Sequence, residues 1–277
     1  MIDKKVLNDI IKMAIKEDLN TGDITTMSTV PEDRMVSGKF IAKSQGILCG
    51  IDIAKAVFTY VDPDITLNNN FSDGDAVKKG DIIATIEGRA VSVLLGERLA
   101  LNLMQRLSGI ATKTNEAVKK VAGFPVKIID TRKTTPGLRV LEKYAVRTGG
   151  GYNHRYTLSD GILIKDNHIK AAGGIENAIS KARNFAPHTL KIEVEVESIQ
   201  QVKEALAAGA EIIMLDNMSY ESMAKAVKLI NKRALIEASG NMDEKDLREV
   251  AKTGVDYISM GALTNFVKPL DISLKFI

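Results

Sequence analysis

The second half of the sequence predicts an α/β protein with a parallel-stranded barrel, complete or nearly so. Short apolar runs end at Glu195, Asp216 and Glu237, which are equally spaced along the chain. An amphipathic helical pattern fills each interval, and strands that alternate with helices at such a period are typical of parallel sheets with helical crossovers. Six such strands between Val126 and Met260 favour a barrel over an open sheet.

The first half predicts a mixture of helices and short strands. Val6, Ile10 and Met13 recur at near-helical spacing, so we expect a surface helix over residues 4–17 that ends in the polar segment 17–23. Apolar alternation, glycine and proline then predict strands over 35–42 and from 47 onwards, a helix over 53–61, and turns with short strands over 71–88.

A strongly apolar helix is predicted over residues 91–107. One face of it carries leucine at every fourth position, which is typical of a helix buried on more than one side: Leu95, Leu99, Leu103 and Leu107. Arg98 lies within this helix. It either pairs with Glu97 or reaches water, or it points into a pocket from a rigid element.

We expect Ser108 and Gly109 to interrupt this helix, because the apolar pattern stops there. The interruption places a domain boundary between residues 1–108 and residues 109–267. The C-terminal tail, 268–277, is expected to return to the N-terminal domain.

Positive charge is concentrated in residues 130–167, although the whole chain has a formal charge of only +3. The cationic side chains there are Arg132, Lys133, Arg139, Lys143, Arg147, His154, Arg155 and Lys165. A solvated surface loop would explain the charge. It would not explain why Arg132, Lys133 and Lys165 follow apolar, strand-like runs. Arginine binds carboxylate or phosphate through a bidentate fork and lysine adds a point charge, so the pattern predicts a site for a ligand with several negative groups.

Catalytic residues of α/β barrels collect at the C-terminal ends of the strands. The predicted ends present a polar set: Arg132, Lys133, Lys165, Glu195, Asp216, Ser239 and Gly261. The two carboxylates are hard oxygen ligands for Mg²⁺ or acceptors for ribose hydroxyls. The glycine turns at Ser239–Gly240, before a helix expected near Asp243, and at Gly261–Ala262 predict phosphate binding through backbone N–H groups. The implied reaction joins a phosphorylated sugar to a polyanionic acceptor.

Composition excludes several other classes of protein. The hydrophobic content of 45% with 26% charged residues is ordinary for a globular protein. A single cysteine excludes an internal disulfide framework and favours a cytoplasmic location. We find no signal-peptide pattern, no apolar run of membrane-spanning length, and no basic stripe that would indicate nucleic acid.

Several motifs resemble the quinolinate phosphoribosyltransferase family. They cover nearly the whole chain: Glu17-Asp18, GDITT at 22–26, Glu97-Arg98, DTRKTTPG at 130–137, KYAVRTGGG at 143–151, NHR at 153–155, LIKDNH at 163–168, EVE at 193–195 and LDN at 215–217. The resemblance implies an N-terminal α/β sandwich joined to an incomplete α/β barrel, in dimers or assemblies of dimers. It also implies the condensation of quinolinate with phosphoribosyl pyrophosphate, assisted by Mg²⁺, to give nicotinate mononucleotide, pyrophosphate and carbon dioxide.

The same resemblance implies a role for each matching residue. The quinolinate side would comprise Arg132, Arg155 and Lys165 on the carboxylates, Lys133 and His154 in the basic wall, and Arg98 from the neighbouring subunit. The sugar side would comprise Glu195 and Asp216, which hold magnesium directly or through pyrophosphate and water, and the 5′-phosphate contacts Ser239, Gly240, Asn241, Gly261 and Ala262. The expected catalytic residues are Lys133, Lys165, Glu195 and Asp216. Asn241 and Asn265 depart from the family pattern, where glycine and histidine are usual.

Three other functions fit parts of the sequence. A related phosphoribosyltransferase, associated with molybdate transport or acting on nicotinate, would keep the barrel and change the basic wall. A Schiff-base aldolase would use Lys165 as a desolvated nucleophile, but it leaves Arg132 and Arg155 unexplained. A carrier function is indicated only by the glycine-rich turns at 71–88, which resemble those of biotinyl and lipoyl domains.

Overall fold

The computed structural model describes residues 2–19 and 22–277. The chain divides into two compact units. The first runs from the N-terminus through Asn115 and also includes Thr135–Gly150 and Phe266–Ile277. The second comprises Glu116–Thr134 and Gly151–Asn265. The predicted ranges 1–108 and 109–267 differ from these units, because the segment 135–150 packs with the first unit.

The first unit is built on a four-stranded antiparallel sheet in the order β12-β1-β5-β3. Its elements are α1 (Lys4–Asp18), α2 (Ile24–Thr29), β1 (Met35–Ala42), β2 (Gly46–Ile47), α3 (Ile51–Val61), β3 (Thr66–Asn69), β4 (Ala76–Val77), β5 (Ile82–Arg89), α4 (Ala90–Lys120, whose last turn belongs to the second unit), α5 (Arg139–Thr148) and β12 (Ile272–Phe276). Phe40 of β1 and Phe58 of α3 meet edge to face in the core, with ring centroids 6.0 Å apart. The C-terminal strand β12 pairs with β1.

The predicted helices of this unit are present, with longer or shifted bounds. The first helix begins after Asp3, whose side chain accepts the N–H groups of Lys5 and Val6. The polar segment predicted to end it includes Asn20 and Thr21, which lie outside the described residues. The strand expected from residue 47 is only the two-residue β2, which pairs with β4.

The expected interruption at Ser108 and Gly109 is wrong, because α4 continues through both residues to Lys120. Both residues are buried, and the contacts around each leave room only for a small side chain. The Ser108 hydroxyl accepts the Cys49 N–H at 2.9 Å and donates to the Cys49 carbonyl at 3.1 Å. A side chain at position 109 would collide with the backbone carbonyl of Lys268. The predicted domain boundary therefore falls inside a continuous helix.

The second unit contains a six-stranded parallel sheet in the order β6-β11-β10-β9-β8-β7. Its strands are β6 (Lys127–Ile129), β7 (Ile162–Ile164), β8 (Ile192–Val196), β9 (Ile212–Asp216), β10 (Leu235–Ser239) and β11 (Tyr257–Ser259). Its helices are α6 (Asp166–Ala172), α7 (Ile175–Phe185), α8 (Ile199–Ala207), α9 (Tyr220–Ile230), α10 (Leu247–Lys252) and α11 (Ala262–Asn265). The six predicted strands are confirmed.

The sheet of the second unit is an incomplete barrel. Among the described residues β6 and β7 are its two edge strands and do not pair with each other. Tyr152 adds one parallel bridge beside Ile129 of β6. The interior is apolar in part, but the buried set includes Glu193 and Glu237.

Candidate active site

The second unit brings most of the predicted site residues to one edge of its sheet. Asp216 and Ser239 are the last residues of β9 and β10, and Glu195 lies near the end of β8. The rest follow the ends of β6, β7 and β11: Arg132, Lys133, Lys165, Gly261 and Ala262. Parallel strands end at the same edge of a sheet, so this edge is the C-terminal rim, where barrel active sites lie.

Arg132 and Arg155 lie near enough in this unit for their charges to interact. Burial lowers the pKa of the Arg155 guanidinium, and the neighbouring charge of Arg132 lowers it further. Arg155 donates from Nη1 to the Gly161 carbonyl at 2.8 Å. The buried Nε of Arg132 has no hydrogen-bond partner among the described residues. Two adjacent guanidinium groups, one with a free buried donor, form a site that a ligand with two negative groups would stabilise.

Lys165 forms an ion pair with Glu195 across neighbouring strands. The Glu195 side chain is 14% exposed and that of Lys165 is 46% exposed, so the pair lies at the rim rather than in the core. The Lys165 backbone N–H donates to His168 Nδ1 at 3.0 Å, which holds the first turn of α6. The predicted basic and acidic sides of the site therefore meet at this ion pair.

Lys133 lies against the glycine that follows β11. A Cβ atom on Gly261 would come within 2.8 Å of Lys133 Cδ, so glycine leaves room for the lysine stem. The Lys133 carbonyl accepts the Thr264 hydroxyl at 2.7 Å. The structure thus places Lys133 beside Gly261, on the side that the sequence assigned to phosphate.

The turn after β10 has an unusual backbone. Gly240 and Asn241 both have positive φ angles, of 87° and 48°. A side chain at 240 would meet Asn217, whose backbone nitrogen would be 2.7 Å from the added Cβ. Asparagine tolerates the left-handed region better than most residues, which explains why Asn241 can replace the usual glycine. The helix expected near Asp243 is wrong: a turn occupies 242–244, and α10 begins at Leu247 after the cap Asp246.

His154 does not present a free nitrogen. Its Nε2 lies 3.0 Å from Glu193 Oε2, and its Nδ1 accepts the Arg155 backbone N–H at 2.7 Å. The His154 N–H donates to Asp130 at 2.8 Å, and the amide of Asn153 donates to the same carboxylate at 2.7 Å. The predicted contact between His154 and substrate stays a prediction.

The sequence reasoning missed Asp130, Glu193 and Glu237 as parts of the site. Each is nearly or fully buried, yet each is acidic within or directly after an apolar strand. Buried carboxylates are expensive unless paired, so their position inside strand-like runs was the available signal. A cavity of about 520 Å³ is lined by strand starts such as Lys127 and Tyr257, and also by His154, Arg155, Glu193 and Glu237.

Arg98 lies on α4 in the first unit and is exposed. Burial raises the pKa of its neighbour Glu97, and the Arg98 charge opposes that shift. The contribution of Arg98 to a partner's pocket stays a prediction.

Glu195 and Asp216 fit a divalent cation by chemistry and placement. Their strands are neighbours, and the register pairs Glu195 with Met214, two residues before Asp216, so both carboxylates face the same side. Mg²⁺ is commonly bound by one or two carboxylates together with substrate phosphates. Lys165 neutralises Glu195 in this structure, and Asp216 accepts the Asn217 amide at 2.8 Å.

The parallel strands and the charged rim at their C-terminal ends are typical of an α/β-barrel enzyme. Two family models match the chain, the N-terminal domain of quinolinate phosphoribosyl transferase over residues 23–108 and its C-terminal domain over 110–275. The chain therefore belongs to the quinolinate phosphoribosyl transferase family. The sequence resemblance, the enzyme class and the predicted fold class are confirmed.

Individual relatives agree with this family. The probable nicotinate-nucleotide pyrophosphorylase [carboxylating] of Bacillus subtilis is 49% identical over 271 residues, covering 98% of this chain and 92% of that protein. A crystal structure of a NadC deletion mutant has a TM-score of 0.96 at 44% identity, covering 99% and 97% of the two chains. The crystal structure of NadC from Streptococcus pyogenes has a TM-score of 0.93 at 43% sequence identity, covering 100% of this chain and 99% of that chain. No helix in the described part of this chain is long and apolar enough to cross a membrane.

Proposed function

We propose that this chain transfers the phosphoribosyl group of phosphoribosyl pyrophosphate to quinolinate, giving nicotinate mononucleotide, pyrophosphate and carbon dioxide in NAD biosynthesis. The observation that carries the proposal is the juxtaposition of Arg132 and Arg155. Two adjacent guanidinium groups repel each other, and a pyridine dicarboxylate supplies a matching pair of charges. The family membership and the relatives named nicotinate-nucleotide pyrophosphorylase support the same reaction.

The residues suit the chemistry of each step. The pyridine nitrogen already has a lone pair, so it attacks the anomeric carbon without a dedicated base, and the bond from that carbon to pyrophosphate breaks. Glu195 and Asp216 stabilise the positive charge that develops at the sugar. The ring is then a pyridinium, and it accepts the electron pair left when the 2-carboxylate departs as carbon dioxide. A proton from solvent completes the ring carbon.

The cationic site that would bind quinolinate is proposed to discriminate quinolinate from nicotinate. A site with two half-buried guanidinium groups should reject the monoacid, because one of them would stay without a counter-charge. We expect release of carbon dioxide and pyrophosphate in equal amounts from quinolinate, phosphoribosyl pyrophosphate and magnesium, and at least about 100-fold lower kcat/KM for nicotinate. Pyrophosphate release with nicotinate at a comparable rate would contradict the assignment and favour a related transferase.

Magnesium is proposed to bind with pyrophosphate at Asp216 and Glu195, where it would neutralise the leaving group. Asp216→Asn is expected to lower kcat by about 100-fold and to raise the magnesium concentration needed for half activity. The dissociation constant for quinolinate, measured by calorimetry, should change less than about twofold, because quinolinate is proposed to bind to cationic residues and not to Asp216. Glu249→Gln, an exposed acid paired with Lys252, is the control. Loss of quinolinate binding in Asp216→Asn would contradict this division of the site.

A homodimer, or an assembly of dimers, with Arg98 from one chain at the site of its partner, belongs to the same proposal. The apolar face of α4 supports it. Leu103 and Leu107 are buried, whereas Leu95 and Leu99 are only half-buried in the single chain. A partner chain that covers these two leucines would also lie next to Arg98. A cytoplasmic location is proposed from the single buried cysteine, Cys49.

A further inference from the structure

Asp130 connects the two chain segments that carry the paired arginines. Arg132 lies two residues after Asp130, and Arg155 lies two residues after Asn153. The Asp130 side chain is fully buried. Its carboxylate accepts the side-chain amide of Asn153 at 2.7 Å and the backbone N–H of His154 at 2.8 Å. One buried carboxylate therefore joins the residues that lie just before each arginine.

The backbone aligns the same segment with the end of β6. The Tyr152 N–H donates to the Ile128 carbonyl at 2.8 Å, and the Tyr152 carbonyl accepts the Asp130 N–H at 3.1 Å. These two bonds form a parallel bridge beside β6. The Asp130 side chain extends this pairing to the two residues after Tyr152. The segment before Arg155 therefore keeps its register with the segment before Arg132.

The side-chain amide of Asn153 makes a different bond at each end. Its Nδ2 donates to Asp130, and its Oδ1 accepts the Tyr156 hydroxyl at 3.2 Å. A carboxylate in the same place would have the same size, but it would turn an oxygen toward the Asp130 oxygens and would have no N–H to donate. The contact with the buried acid thus depends on asparagine at position 153.

Like charges oppose the arrangement that this contact maintains. Arg132 and Arg155 are both half-buried. Burial and the charge of Arg132 both lower the pKa of the Arg155 guanidinium, so the two groups repel each other when no ligand is bound. The Gly161 carbonyl holds the guanidinium of Arg155 at 2.8 Å, and the Asp130 contact holds the backbone before it. A backbone held in this way reduces the cost of ordering the two cations when a dianion binds.

We propose that Asn153 is a positioning residue for quinolinate, with the buried Asp130 as its partner. Their contact holds the backbone before Arg155 against the end of β6, so that Arg155 and Arg132 can bind the two carboxylates of one ligand. Asn153 acts through Arg155 and not on the reacting atoms. The proposal rests on the proposed function only for the identity of the ligand.

Asn153→Asp tests this role without a change in side-chain size. We expect the KM for quinolinate to rise about tenfold, because an oxygen without a donor then faces Asp130 and the segment moves away from β6. The kcat and the KM for phosphoribosyl pyrophosphate should change less than about twofold, since Arg155 binds quinolinate before and during the reaction alike. Asn153→Ala removes the amide without adding an oxygen, so its KM for quinolinate should lie between those of the wild type and Asn153→Asp. Because it adds no charge, it keeps the test valid if Asn153→Asp does not fold.

A matched control makes the same chemical change elsewhere in the second unit. Asn177→Asp replaces an exposed amide on α7 that donates to the Gly173 carbonyl at 3.2 Å, and it should leave both KM values within about twofold of the wild type. A purely structural role for Asn153 would reduce the active fraction, which lowers kcat and leaves both KM values unchanged. That pattern in the Asn153 variants, or an equal rise in both KM values, would overturn the proposal.

Calorimetry with phthalate separates the positioning role from the proposed reaction. Phthalate has two adjacent ring carboxylates and no ring nitrogen, so it can bind at the two arginines without reacting. We expect the wild type to bind it and Asn153→Asp to bind it about tenfold more weakly. If quinolinate is not converted but phthalate shows this difference, the proposed function fails and the positioning role stands. Equal binding of phthalate by the wild type and both Asn153 variants, or no binding of either dicarboxylate by the wild type, would overturn the positioning role.

Discussion

Arg132→Ala is expected to lower kcat/KM for quinolinate by about 10²–10³-fold, because truncating one partner of a buried charge pair costs about 2–5 kcal/mol. The same substitution should not lower the melting temperature of the ligand-free protein, since it removes the repulsion between Arg132 and Arg155. A loss of activity without a loss of stability would show that Arg132 is needed to bind the ligand and not to hold the fold together.

Two controls make this result specific. Arg132→Lys keeps the charge and loses the bidentate fork, so its kcat/KM should fall between those of the wild type and the alanine variant. Arg183→Ala removes an exposed arginine that pairs with Glu211, and it should leave turnover unchanged. Arg132→Ala could instead lower the melting temperature as much as a core truncation and retain activity. That result would contradict the proposal that Arg132 binds a ligand with two negative groups.

Mixing two inactive variants is expected to restore activity if each site is shared between chains. Arg98→Ala and Lys133→Ala should each give a nearly inactive homodimer. In a mixed dimer, one site receives both defects and the other receives neither, if Arg98 serves the partner. Random pairing from equal amounts makes about half of the dimers mixed, so about a quarter of wild-type activity should return.

The mixture distinguishes the two possible origins of Arg98. If Arg98 serves its own chain, every site keeps one defect and no activity returns. Subunit exchange must be shown separately, by mass spectrometry of dimers with one labelled chain. Unmixed samples of each variant at the same total concentration provide the baseline. An exchanged mixture that stays inactive would contradict the shared site.

The strands of the second unit could be predicted because their composition and their burial agree. β8, β9 and β10 are short apolar runs with polar ends, and the intervening helices are amphipathic, so the parallel arrangement follows from local pattern. α4 was predicted too short because its composition and its burial do not agree near Ser108 and Gly109. Ser108 and Gly109 are weak helix formers in isolation, but contacts with Cys49 and Lys268, distant in sequence, require small residues there.

The candidate site was predictable where charged residues lie at strand ends, as for Arg132 and Glu195. It was not predictable where the arrangement depends on which partners a side chain has. His154 was assigned to a basic wall by resemblance to the family, whereas its ring contacts Glu193 and the backbone of Arg155. The contact with Glu193 joins two segments that are distant in sequence, and no local pattern encodes it.

The pairing of β12 with β1 has a consequence for synthesis of the chain on the ribosome. β1 is translated early, but its partner strand, Ile272–Phe276, follows much later in the sequence. Until those residues emerge, one edge of β1 keeps its N–H and C=O groups unpaired, and such an edge can pair with other chains. β12 therefore completes a sheet that begins with β1, and deletion of β12 would leave that edge of β1 exposed.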